Sequence, residues 1–123
     1  VKPTARGPYL QFVIFWFPVI AYCAIIFIGS AMEHPLPETQ IPQLDKLLHA
    51  VEFGALCFLL IRALKGSFPG LSGFRLLAFA VILTTIYGVT DEIHQLFVPG
   101  RVSSLIDLFF DFLGALAVGF LKR

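Results

Sequence analysis

The chain has 123 residues, of which 58% are hydrophobic and only 14% charged, and its formal net charge is +1. That length holds one domain, and a water-soluble domain of this size would not carry so little charge. Lipid is therefore the solvent the sequence is written for, and nucleic acid is excluded as a partner because no face of clustered Lys and Arg is present to meet a phosphate backbone.

A spanning helix needs roughly 20 mainly apolar residues. Four stretches approach that length, Tyr9–Met32, Asp45–Leu64, Phe74–Phe97 and Ser104–Leu121. The expected fold is all-α: a polytopic membrane protein whose four transmembrane helices form one membrane domain over residues 1–123. The first stretch outlasts the apolar region of a secretory signal and holds no small-residue cleavage pattern, so it is expected to remain as a helix. Pro18 within it predicts a kink, which membrane helices tolerate when a neighbouring group satisfies the freed carbonyl. Tyr9 and Trp16 are candidate interfacial anchors for this helix.

Between the first two helices, Pro35, Pro37 and Pro42 make Glu33 to Leu44 an extended loop that cannot be helical throughout. Gly66, Pro69, Gly70 and Gly73 punctuate the next connection, and Pro99-Gly100 marks a turn in the last. Ser103 and Ser104 read as a helix start rather than as nucleophiles. Cys23 and Cys57 fall inside apolar stretches, where a thiol behaves as a small hydrophobe. Gly54, Gly88 and Gly114 are small residues that let helices approach closely.

Lys and Arg in short loops are retained on the cytoplasmic side of a membrane. Lys2, Arg6, Arg62, Lys65, Arg75, Lys122 and Arg123, seven of the nine basic residues, fall on one side of the predicted topology. Both termini are accordingly expected to be cytoplasmic. The opposite side holds Glu33, Glu38, Lys46 and Arg101.

Six of the eight acidic residues, Asp45, Glu52, Asp91, Glu92, Asp107 and Asp111, lie in or at the edge of predicted helices. Exposure of a charge to lipid costs several kcal/mol, so these groups must face one another, water or a ligand. Their spacing agrees. Asp45, His49 and Glu52 recur at helical intervals on the second helix, Tyr87, Asp91 and His94 on the third with Gln95 beside them, and Asp107, Asp111 and Gly114 on the fourth. Counted inward at about 1.5 Å per residue, Glu52, Asp91 and Asp111 sit about 10 Å or less below the outer boundary. The stripes therefore predict one polar pocket on the extracytoplasmic half of the bundle, with Arg101 at its rim.

Three chemistries suit such a pocket. Carboxylates and imidazoles on facing helices are ligands for a divalent metal, with Asp45, His49, Glu52, Asp91, Glu92 and His94 as the candidate set. Crowded carboxylates also perform general acid–base chemistry, for which Asp91, Glu92, His49 and His94 are the candidate catalytic residues. Recognition of a phosphate or sugar head group would use Lys46 and Arg101 as donors, with Tyr87, Gln95, Asp107 and Asp111 as further contacts. A structural reading stands beside these: Asp45 caps its helix, Lys46 snorkels outward, and Arg101 pairs with Asp107 or Glu92. No HExxH, paired CxxC, GxSxG, P-loop or dinucleotide fingerprint occurs.

Asp45-Lys46-x-x-His49, Tyr87-x-x-x-Asp91-Glu92-x-His94-Gln95-x-Phe97-x-x-x-Arg101 and Asp107-x-x-x-Asp111-x-x-Gly114 together resemble the VanZ-like family of small membrane proteins, over roughly residues 45–123. The family usually has Asn at the position of Asp111. If that position supplies an amide donor, Asp111 must be protonated to replace it; if it is a ligand or an acid, the change adds charge. The resemblance implies a link to teicoplanin, a glycopeptide that acts on cell-wall precursors outside the membrane, and an outward-facing site is compatible with that setting.

The function expected from these observations is binding, with or without modification, of the polar head of a cell-envelope or lipid-linked molecule, within the bacterial plasma membrane and in contact with its lipids. The alternatives are a small proton- or cation-coupled carrier and a structural bundle held by its charges. A carrier needs access from both sides and a midplane site. The charges stop in the outer half, so transport would require a homo-oligomer to complete the pathway.

Overall fold

The computed structural model describes residues 7–31, 42–98 and 105–122. Five helices follow in chain order: α1 (Pro8–Phe15), α2 (Phe17–Ala31), α3 (Pro42–Ser67), α4 (Gly73–Gln95) and α5 (Leu105–Lys122). The segments Pro8–Gly29, Leu47–Ser67 and Gly73–Gln95 are long and apolar enough to cross a membrane, and Leu108–Leu121 is a shorter apolar helix beside them. The result is an all-helical membrane bundle, with no strand among the described residues.

Burial is inverted relative to a soluble protein. Phe58, Ile82, Phe109 and many other large apolar side chains face outward, whereas His49, Thr84, Asp91, Glu92, Gln95 and Asp111 are buried. Lipid accepts the first set and rejects the second, so the same partition drives both. Phe53, Leu56, Cys57, Ala80 and Ala115 form the centre of the apolar core. Both cysteines are free, and Cys57 is buried within that core.

The first apolar stretch is broken at Trp16, which separates α1 from α2. Pro18 explains the break, because its missing N–H leaves the carbonyl of Ile14 without the intrahelical donor it would otherwise have. Arg62 of α3 fills that vacancy: Nη1 donates to the Ile14 carbonyl at 2.8 Å, and the guanidinium lies over the Phe15 ring at 5.2 Å. Nearby, Trp16 Nε1 donates to Ser67 Oγ at 2.7 Å, which ties the indole to the end of α3 rather than to the lipid interface alone. Replacing Arg62 by Leu should lower stability by about 1–3 kcal/mol, the range for losing a hydrogen bond from a charged donor and leaving its part-buried acceptor unsatisfied. In the Pro18→Ala background, where the helix can supply its own N–H, most of that loss should disappear. Thermal unfolding in detergent, followed by circular dichroism across the four proteins of this cycle, checks the expectation; equal losses in both backgrounds would contradict it.

α3 opens on Pro42, three residues ahead of Asp45, and runs on to Ser67. Proline is accommodated in the first turn of a helix because its absent N–H has no intrahelical partner there, so the proline-rich loop ends earlier than composition alone implies.

α3 packs most extensively on α5, and α4 packs against both. The contact is closest where α5 presents Gly114: a β-carbon there would run into the carbonyl of Ala50. The reciprocal position is Gly54, whose β-carbon would meet the Gly114 carbonyl at 3.1 Å and Val118 Cγ2 at 3.0 Å. These two glycines set how near the backbones of α3 and α5 come, and hence how near the polar residues one turn away are brought.

Candidate functional site

His49 lies on α3, Glu92 near the end of α4, and Asp111 on α5. The antiparallel succession of these helices brings the start of α3, the end of α4 and the start of α5 to one end of the bundle. Two contacts align α2 with the same frame. Tyr22 donates to the carbonyl of Glu52 at 2.9 Å, and Phe27 stacks on His94 with ring centroids 4.3 Å apart.

At that end, His49 Nδ1 lies 3.0 Å from Asp111 Oδ1, a buried hydrogen bond between imidazole and carboxyl group whose direction follows the tautomer of His49. Glu92 completes the group: one ligand-capable atom from each of His49, Glu92 and Asp111 lies within 4.8 Å of the others, and all three residues are buried. Phe53, one turn after His49, stacks in parallel with its imidazole and makes the apolar floor, with Tyr87 beside it. Gly88 leaves room for the carboxylate, since a β-carbon there would lie 3.2 Å from Asp111 Oδ2.

The remaining polar residues occupy neighbouring positions. Asp91 is buried on α4 and accepts from Gln95 Nε2 at 3.3 Å, one turn along the same helix. Tyr87 donates its hydroxyl to the backbone carbonyl of Cys23, joining α4 to α2. His94 turns toward α2 through its stack on Phe27. Glu52 is partly buried on α3. Among the described residues, Glu52, Asp91 and His94 thus stand outside the three-residue group that His49 and Glu92 form with Asp111. The side chains of Asp45, Lys46 and Asp107, and all of Ser103, Ser104 and Arg101, lie outside the described residues.

A family model described as VanZ/LLP1 matches residues 9–121. The chain belongs to the VanZ/LLP1 family. The family resemblance of the motifs that start at Asp45 is borne out, and the match reaches back to Tyr9 at the start of the first hydrophobic segment. No curated protein and no solved structure matches the chain.

Within this VanZ/LLP1 chain, the imidazole–carboxylate pair at the junction of α3 and α5 is a unit able to hold or pass a proton. Glu92 brings a second carboxylate to the same place. Two acids beside one imidazole in an apolar interior cannot all be charged without compensation, so the group favours a proton or a cation. One of the apolar cavities lies apart from it, a volume of about 430 Å³ on the outer faces of α4 and α5 bordered by Phe74, Leu77 and Phe120. A second cavity, of about 350 Å³ and lined by the cationic Arg62 and Lys65 as well as by apolar side chains such as Phe15, lies at the other end of α3.

Proposed function

We propose that this protein resides in the bacterial plasma membrane with both termini cytoplasmic, and that the His49–Glu92–Asp111 site opens toward the extracytoplasmic side. There it binds the polar head of a lipid-linked or cell-envelope molecule and acts on it by acid–base chemistry. The observation that carries this reading is the buried His49–Asp111 hydrogen bond with Glu92 beside it, assembled from three helices.

An intramembrane ionisable group is costly, and a fold keeps three of them together where they serve a ligand or one another. In the reading proposed, His49 transfers a proton to or from the head group while Asp111 holds the imidazole in orientation. Glu92 receives hydroxyls or amines. Lys46 and Arg101, placed by sequence at the outer ends of α3 and of the α4–α5 connection, attract the anionic part of the molecule. A site at one end of the bundle is suited to one-sided access rather than to carriage, which needs a midplane site and broken helices. Because teicoplanin acts on wall precursors on that face, altered susceptibility to it is the phenotype this reading assigns to the site.

Native mass spectrometry of the protein extracted from bacterial membranes tests the proposal. The wild type should retain a polar-head lipid adduct. His49→Ala and Glu92→Gln should reduce its occupancy at least about tenfold, equivalent to about 1.4 kcal/mol of head-group contact, with helical content by circular dichroism unchanged. A host expressing the wild type, and not the variants, should show the shift in teicoplanin inhibitory concentration. Equal adduct in all three proteins would remove the site from the mechanism.

A further inference from the structure

We propose that His49, Glu92 and Asp111 hold one divalent transition-metal cation, zinc being the ion their donor set fits best; this rests on the head-group reading above for the role of the ion and changes one part of it, since an imidazole that ligates the ion leaves proton transfer to the group held at the ion's open position. One ligand atom from each residue lies within 4.8 Å of the others. Ligands bound to zinc at about 2.0–2.2 Å stand about 3–4 Å from one another, so side-chain adjustments of about 1 Å close the shell. The His49–Asp111 separation of 3.0 Å already falls at that spacing. One imidazole nitrogen and two carboxylate oxygens from three helices form a borderline donor set of the kind bundle cores use for zinc or manganese.

Charge favours the same conclusion. Two carboxylates brought together in an apolar interior are costly as anions, and a dication neutralises both at once. An independent observation comes from the second oxygen of Asp111: this residue is 0% exposed, and its Oδ2 has no hydrogen-bond partner among the described residues. A fully buried acceptor of this kind is rare, and an ion is one of the few groups that satisfy it. Its other oxygen, Oδ1, lies 3.0 Å from His49 Nδ1, so Oδ2, on the same carboxyl carbon, is within reach of an ion held between these residues. Three protein ligands leave the fourth position of a tetrahedral shell open, which is the arrangement that lets a metal bind water or a phosphate oxygen of a head group.

The test uses the full chain, purified in detergent without a histidine tag, stripped with chelator, equilibrated with zinc or cobalt, and desalted. Elemental analysis should find close to one ion per chain, and the cobalt form should show the visible absorption of a low-coordinate N,O site. His49→Ala, Glu92→Gln and Asp111→Asn should each lower occupancy at least tenfold, whereas Lys65→Gln, at the other end of α3, should not change it. Asp111→Asn keeps the side-chain shape, so it reports on the ligand even if His49→Ala fails to fold. A wild type that takes up no ion, as a purely protonated network would behave, overturns the proposal, and so does uptake that all three variants share. Metal in a protein that carries no head-group adduct upholds the metal site and overturns only the reading it rests on. An adduct in a protein that takes up no metal overturns the metal site alone.

Discussion

Gly114→Val should prevent the bundle from assembling. Overpacking a core position usually costs about 1–3 kcal/mol, because neighbouring side chains move aside. At Gly114 the obstacle is the backbone carbonyl of Ala50, which is fixed in α3 and cannot rotate away. The cost should reach about 3 kcal/mol or more, a large part of the stability of a small domain. Gly114→Ala already places its β-carbon against that carbonyl, so it should lie between the two proteins and nearer to Val than to Gly. Gly54→Ala should be milder, since one of its two nearest neighbours is the movable side chain of Val118. The yield of monodisperse protein from detergent extraction and its thermal midpoint give the order. A Gly114→Val protein that melts with the wild type would show that α3 and α5 do not meet at this point.

The effect reaches the site as well as the fold. Asp111 lies three residues before Gly114 and Ala50 immediately follows His49, so the close approach of the two backbones is also what places the imidazole against the carboxylate. Substitutions at Gly114 should therefore disturb His49–Asp111 contact even in whatever fraction remains folded.

Much of this arrangement is legible in the sequence alone. Apolar length identified the helices, and the cost of charge in lipid implied that the acidic residues must converge. Spacing marked His49 and Asp111 as members of inward-facing stripes. What it could not resolve was the choice between adjacent residues. Asp91 and Glu92 are one position apart, or about 100° around a helix, and only the packing of α4 between its neighbours shows Glu92 beside His49 and Asp111 while Asp91 accepts from Gln95. His94 belonged to the stripe of Asp91, yet it stacks on Phe27 of α2, a partner whose apolar helix gave no signal of where it would dock. Spacing alone marks Asp111 as a head-group contact rather than as a metal ligand; its proximity to both His49 and Glu92 is a consequence of the packing of α5 on α3 and α4, which no local pattern reports.

The prolines behaved similarly. Pro18 announced an open carbonyl, but its donor, Arg62, lies 48 residues from Ile14 in sequence. From sequence alone Arg62 is only a topological marker, expected on the cytoplasmic side. Its guanidinium also closes a backbone defect, so one residue carries both an orientation signal and a packing role. Composition places Pro42 in a loop, whereas a proline in the first turn is compatible with the helix it begins.

The departure at Asp111 acquires physical content from its surroundings. Where an Asn would offer an amide to His49, this chain places a second carboxylate within reach of Glu92, and Gly88 leaves the space beside it. The extra negative charge is a reason to expect a counter-charge at this position, whether carried by a bound ion or by the cationic part of a ligand.

Access to envelope molecules depends on the proposed orientation of the site toward the extracytoplasmic side. Cysteine labelling in intact bacterial cells tests it most directly, with Cys23 and Cys57 replaced by Ala and a single new cysteine at Arg101 or at Lys65. A membrane-impermeant maleimide should modify the Arg101→Cys protein in intact cells and the Lys65→Cys protein only after lysis, as the distribution of cations requires. The reverse pattern would turn the His49–Glu92–Asp111 site toward the cytoplasm and contradict the account.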